Sequence, residues 1–348
     1  MLIKVETDRD GYDGRTAVTA GPAATPGSAA TGPAAADPQP SGAQAADPVA
    51  AVLGKAAREN FPVAPRFLPA AWRDGLMAVY GYARLVDDAG DGDLAPGGGD
   101  ARLLGVEPGR AGDRLALLDA LEADVHRAFA AAGDDAAGPP RHPLLRALVP
   151  VVRRHRLTPA PFLDLLAANR LDQRVHRYAT WADLEGYCAL SANPVGRLVL
   201  AVTGTTTPGR VRRSDAVCTA LQIVEHLQDV AEDRARGRIY LPAEYLERFG
   251  VRERDLAAPV AGAGLRTAVA TMAERSATLL DEGVPLTASV SGRLRLLLAA
   301  FTGGGRAALR ALAAARYDVL AGPPRAGRPT LLRETTAVLT AARRGNLR

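Results

Sequence analysis

The stretch SDAVCTALQIVEHLQDVAED (214–233) decides the reading of this chain. Within it Leu221, Val224, Leu227 and Val230 recur at the three- and four-residue spacing of one helix face. Asp229 and Asp233 are four apart, and Glu225 lies one turn before them, so three carboxylates share a second face. The bland reading is a solvated acidic face, softened by Arg234 and Arg236. Against it, the upstream residues are apolar around much of the helix circumference, which implies burial. Carboxylates buried together are costly unless a cation sits among them.

A second stretch, VYGYARLVDDAGD (79–91), repeats the pattern. Asp87 and Asp91 are again one turn apart, with Asp88 beside them. Unneutralised, such a pair repels; a hard divalent ion with oxygen ligands, Mg²⁺ above all, makes it favourable. Taken alone this motif is a weak signal and reads more readily as a charged helix end entering an acidic loop that holds Asp93 and Asp100. Two such faces, far apart in sequence and each within an apolar helix, say more together. Facing one another, they line opposite walls of a cavity where Mg²⁺ could clamp a diphosphate and promote departure of a carbocation.

The rest of the chain is consistent with an all-α protein. Of 348 residues, 47% are hydrophobic and only 5% aromatic, and β-branched runs are short. Pro69 predicts a helix start, with Trp72, Leu76, Val79, Tyr80 and Ala83 at helical spacing through to Asp88. Further helices are expected near 113–132, 142–156, 159–172, 181–205, 212–235, 264–285, 289–302 and 305–321, with Pro194 breaking the fourth near Asn193. The segment 91–113 reads as loop, and so do the glycines at 97–99 and 303–305, which open no phosphate-binding fingerprint. Residues 1–46, in which Ala, Gly, Pro, Thr and Ser prevail after Thr16, are expected to be disordered. Residues 47–322 form one domain, and 323–348 a basic tail able to form an amphipathic helix.

The formal charge of +5 fits an arginine-rich surface, and no basic stripe with interleaved aromatics points to nucleic acid. Cys188 and Cys218 are widely spaced, which argues against a disulfide framework and fits a reducing cytoplasm. The first residues carry no apolar stretch of signal-peptide type, and no run of about 20 apolar residues suggests a membrane span.

Beyond these patterns, Asn60-Phe61-Pro-Val-Ala, Phe67-Leu-Pro69 and Val79-Tyr80-Gly-Tyr82-Ala-Arg84-Leu-Val-Asp87-Asp88 resemble the first aspartate-rich region of the squalene/phytoene synthase family. Leu221-Gln222, Gln228-Asp229-Val-Ala-Glu232-Asp233 and Gly237-Arg238-Ile-Tyr240-Leu-Pro242 resemble the second. The resemblance covers about residues 50–320. It leans toward the hydroxysqualene-forming branch of bacterial hopanoid biosynthesis, on ENFPVAPRFLP (59–69), residues 177–200 and residues 224–242. Phytoene and presqualene diphosphate synthases usually carry Ala-Gly-x-Val-Gly where this chain has Ser191-Ala-Asn193-Pro194-Val-Gly196, and Asn in place of Glu225.

The resemblance implies an all-α isoprenoid synthase fold, with Mg²⁺ held by Asp87, Asp91, Asp229 and Asp233 and Asp88 adjoining. It implies that Arg84 and Gln222 line the diphosphate and prenyl pocket, with Asn60, Phe61, Tyr80, Tyr187, Ser191 and Asn193 nearby and Glu225 close to the metal. The implied reaction converts presqualene diphosphate and water to hydroxysqualene and diphosphate. Its rival is head-to-head condensation of two allylic diphosphates, and a rival of another class is a non-catalytic helical partner protein. Ser191, Asn193 and Tyr187 are candidates for placing the water, or else cap a helix break. His226 is expected to point away from the acidic face. A very apolar product makes peripheral contact with the membrane an expectation on solubility grounds.

Overall fold

A computed structural model of the chain describes residues 48–58 and 64–345. Asn60, Phe61 and the segment expected to be disordered lie outside the described residues. A short helix, α1 (Pro48–Gly54), leads into a 3₁₀ turn carrying Lys55. Helix α2 (Ala70–Asp91) starts behind Pro69 and stops at Gly92, whose φ of 80° supplies the left-handed cap. The expected loop that follows contains one short α-helix, α3 (Gly99–Leu104), and a 3₁₀ turn (Pro108–Arg110). The first half of the bundle is completed by α4 (Arg114–Gly133), α5 (Pro143–His155) and α6 (Ala160–Leu171). Asp113 caps α4 by accepting from Ala116 N at 3.0 Å, as its position before an apolar run predicts.

Helix α7 (Trp181–Ser191) opens on a Thr180/Asp183 capping box and gives way at Ala192 to α8 (Asn193–Val202). The break expected from Pro194 is therefore present. The expected 212–235 helix is divided too. Helix α9 (Pro208–Gln228) passes into α10 (Val230–Ala235) through Asp229, which sits at φ −104°, ψ 18°. The remaining helices are α11 (Ala243–Arg248), α12 (Ala263–Asp281), α13 (Gly283–Ala288), α14 (Gly292–Ala314) and α15 (Arg328–Gly345). Among the described residues there is no strand, only one isolated parallel bridge between Arg177 and Ile239.

Three expectations change. Gly303, Gly304 and Gly305 are not a loop; they lie buried inside α14. A Cβ at Gly303 would come within 2.6 Å of the Thr335 backbone, so the bare glycine lets α14 and α15 pack backbone to backbone. The C-terminal segment is not a tail outside the domain: α15 packs on α13 and α14 and buries Val338 and Ala342 completely. Lastly, α14 is long and apolar enough to cross a bilayer by composition, yet half of that stretch is buried within the bundle.

Two large apolar cores result, with a small third cluster of Val217, Ala220, Leu221 and Leu280. One joins α2, α4, α5, α6 and α8 to the start of α14; the other joins α7, the end of α9, α12 and the end of α14. Helix α8 packs on both α2 and α9, and the space left between those two helices is the cleft described next.

Candidate active site

Leu76–Ala83 of α2 and Ser214–Leu221 of α9, about two turns each, form facing walls of a cleft of about 930 Å³, counting its part open to solvent. Tyr80 and Ala83 of α2, Val217 and Leu221 of α9, Val199 of α8 and Phe301 of α14 make its lining overwhelmingly apolar. Along both α2 and α9 the sequence runs from these apolar residues toward the aspartates. The carboxylates therefore gather at one end of the cleft, where the helices terminate.

On α2, Asp88 is buried and held by Lys55 Nζ at 2.7 Å and Arg84 Nη2 at 2.9 Å. Burial raises its carboxyl above the ordinary range, opposed by both cations. Asp87 is buried as well but has a weaker partner, Asn169 Nδ2 of α6, donating to Oδ1 at 3.3 Å. Burial pushes the Asp87 carboxyl up to about 6, and the charge of Asp91 one turn away adds to the rise. Gly90 makes room for Asn169: a Cβ there would collide with the amide oxygen.

Arg238 ties the two acidic motifs together. It follows α10, where its backbone N–H donates to Asp233 O at 2.9 Å, while its guanidinium reaches across to Asp91 Oδ1 at 2.9 Å. On α9, His226 is buried and stacked on Tyr240 with ring centroids 3.7 Å apart. Its Nε2 meets Gln222 Nε2 at 3.1 Å, and its Nδ1 lies 3.5 Å from Asp233 Oδ2. Burial lowers the imidazole below its ordinary value against the pull of Asp233, which favours the neutral ring. His226 thus belongs to the acidic end, contrary to its expected orientation. Behind it, Tyr187 and Tyr240 donate to the two oxygens of Asp172 at 2.9 and 3.0 Å. Asp172, Asn169 and Gln173, all from α6 or just after it, give no motif signal and were invisible in the sequence. Gln173 fastens the same region by donating to Gly90 O at 2.9 Å.

The other expected positions fall as follows. Tyr80 lines the cleft and Arg84 lies one turn nearer the aspartates. Gln222 and Glu225 lie on α9 between the apolar wall and Asp229. Tyr187 sits in the aromatic cluster behind Asp172 rather than on the cleft wall. Asn193 Oδ1 accepts from Thr219 Oγ1 at 3.0 Å and does not cap α8. Ser191 Oγ is buried and has no hydrogen-bond partner among the described residues.

The donors at the acidic end are all carboxylate oxygens, which suits a hard cation. Asp87 carries a charge that burial destabilises, with the Asn169 amide as its hydrogen-bond donor, and Asp233 Oδ2 is buried with the His226 ring nitrogen 3.5 Å away. Among the described residues no three ligating side chains close on one point. Mg²⁺ commonly needs no such cage: it keeps waters and is bound through one or two carboxylates and substrate phosphates. The residues fit that ion.

Comparisons with known proteins bear on the whole arrangement. Residues 54–335 match the squalene/phytoene synthase family. The chain is 35% identical over 233 residues to a hydroxysqualene synthase from Rhodopseudomonas palustris, covering 67% of this chain and 71% of that protein. A 15-cis-phytoene synthase from Synechococcus elongatus is 32% identical over 210 residues, covering 57% of this chain and 61% of that one. Among solved structures, a squalene synthase from Alicyclobacillus acidocaldarius aligns with a TM-score of 0.64 and 39% identity, over 79% of this chain and 96% of that one. With both aspartate motifs at one end of an apolar helical cleft, this chain belongs to the squalene/phytoene synthase family.

Proposed function

We propose that the protein converts presqualene diphosphate and water to hydroxysqualene and diphosphate. The observation that carries this reading is the convergence of two aspartate motifs, joined by Arg238, at the polar end of an apolar cleft. The choice of branch is supported by relatives named hydroxysqualene synthase at 35% and 34% identity and by the Ser191–Gly196 segment.

Asp87, Asp91, Asp229 and Asp233 would hold Mg²⁺, which when bound supplies positive charge to the departing diphosphate. Arg84 and Arg238 add fixed cationic charge at the same end and orient the carboxylates. The C–O bond breaks with its electron pair leaving on diphosphate. The apolar walls keep the resulting cation from bulk water while it rearranges. A single admitted water then forms the new C–O bond, and its proton passes to the diphosphate or to solvent. The buried hydroxyl of Ser191, without a hydrogen-bond partner among the described residues, is a candidate to position that water.

A second reading, head-to-head condensation of two allylic diphosphates, is favoured by the 32% identity to a phytoene synthase and uses the same acidic end. One assay separates them. Purified protein with Mg²⁺ and presqualene diphosphate, without nicotinamide, is expected to yield hydroxysqualene. Turnover of farnesyl or geranylgeranyl diphosphate alone would overturn the first reading and establish the second.

A further inference from the structure

The last turn of α2, one half of the acidic pole of the molecule, is clamped by two side chains that follow one another by a turn at the end of α6. Asn169 donates from Nδ2 to Asp87 Oδ1 at 3.3 Å, and Gln173 donates from Nε2 to the carbonyl of Gly90 at 2.9 Å. The Gln173 bond answers a folding need, because carbonyls in the last turn of a helix have no partner within it. The Asn169 bond serves a different end. It supports a buried carboxylate whose charge folding alone would avoid.

Asn169 is itself fixed before it meets Asp87. It is buried, and Nδ2 also donates to Leu165 O of its own helix at 3.1 Å. A carbonyl and a carboxylate both demand protons, so only one orientation of the amide satisfies them. Its oxygen then lies over Gly90, where a Cβ would stand 2.1 Å from that oxygen and 3.1 Å from the Asn169 Cβ. Glycine inside a helix is destabilising relative to alanine, so its place within the first aspartate motif needs a reason. Asn169 supplies it.

The partners of the three aspartates on α2 differ in kind. Asp88 has a cation at each oxygen, Lys55 Nζ at Oδ2 and Arg84 Nη2 at Oδ1. Asp87 and Asp91 are each held at Oδ1, by Asn169 and by Arg238. Among the described residues, neither of their Oδ2 atoms accepts a hydrogen bond. An amide orients a carboxylate without cancelling its charge, whereas a second cationic side chain beside Asp87 would compete with an incoming metal ion.

We propose that Asn169, seated on Gly90, is a positioning residue for the first aspartate motif: it fixes the carboxylate of Asp87 through one oxygen and leaves the other for a divalent cation. The proposal rests on the reading that the aspartates hold Mg²⁺, and not on which prenyl diphosphate reacts.

Binding of Mn²⁺ alone, followed by loss of the free-ion electron paramagnetic resonance signal, tests it without turnover. Asn169→Ala and the milder Asn169→Ser are expected to weaken binding on the order of 10–100-fold, the usual cost of removing a partner that orients a metal ligand. Gly90→Ala keeps Asn169 in the chain but displaces its amide, and should do the same. Gln173→Ala removes the other half of the clamp; it is expected to lower the thermal midpoint and leave Mn²⁺ affinity at the wild-type value. All are compared where helical circular dichroism matches wild type. In turnover, Asn169→Ser should raise the Mg²⁺ concentration needed for half-maximal rate and leave kcat at saturating Mg²⁺ little changed. Wild-type affinity in Asn169→Ser and Gly90→Ala, or equal weakening by Gln173→Ala, would overturn the proposal and leave the metal assignment standing. No Mn²⁺ binding by wild type, or binding that survives Asp87→Ala, would sink the metal assignment and the proposal with it. Asn169-dependent Mn²⁺ binding in a protein that forms no hydroxysqualene would uphold the proposal and sink the proposed reaction.

Discussion

Asp87 is where the requirements of folding and of the site conflict most openly. Its carboxyl is buried against one amide donor, and burial moves its titration from 3.8 to about 6. A carboxyl whose folded value is raised binds its proton more tightly in the folded state. The stability it allows is fully present below pH 3.8 and is lost as pH rises through about 6, a loss of about 3 kcal/mol at neutrality. Asp87→Asn keeps an acceptor for Asn169 and removes the charge. In chelator-treated protein at pH 7 this variant is expected to be more stable than wild type by up to about 3 kcal/mol, with the difference closing below about pH 4. It should have lost turnover by at least ~10²-fold. Urea midpoints at the two pH values check the first part; a variant less stable than wild type at pH 7 would show that the charge is compensated in the metal-free protein. Asp88 offers the contrast, since Lys55 and Arg84 already hold it.

At the scale of helices, the residues that made the fold legible were those that repeat with helical period or change the backbone rule. Proline did so twice: Pro69 marks the start of α2 and Pro194 the α7–α8 break. The aspartate pairs marked the acidic pole because like charges at one-turn spacing need a reason. Asn169, Asp172 and Gln173 gave no such signal, being single polar residues whose roles arise only once α6 lies against α2. The break at Asp229 was hidden because i,i+4 bonding continues through it, with Asp233 N donating to Asp229 O at 2.8 Å. The glycine run 303–305 misled for a related reason. Glycine is read as a loop former, yet here missing side chains serve a helix crossing that no local pattern reveals. Gly303→Leu is therefore expected to push α15 off α14 and destabilise by about 1–3 kcal/mol or more, whereas a loop position would tolerate it. Thermal melting of the variant distinguishes the two.

Across the whole molecule, α15 closes the structure from the acidic pole. Gln228, next to Asp229, donates to the carbonyl of Pro324 in the segment that leads from α14 to α15. The helix then runs along α14 and α13, burying Val338 and Ala342, while buried Glu334 pairs with Arg310 and Arg333. A tail with no structural part could be removed at no cost. Removing 323–348 instead uncovers the glycine face of α14, strands Arg310 without its carboxylate and unties Gln228 beside the second aspartate motif. Re-exposing Val338 and its neighbours alone forfeits about 1.5–3 kcal/mol, and the uncovered backbone of α14 adds to it. Truncation after Gly322 is thus expected to lower the urea midpoint by a margin measurable against wild type and to reduce turnover, because the turn at Asp229 loses its anchor. The same chain supplied with the separate 323–348 peptide should recover part of both. Unchanged stability on truncation would return α15 to the status of an appendage.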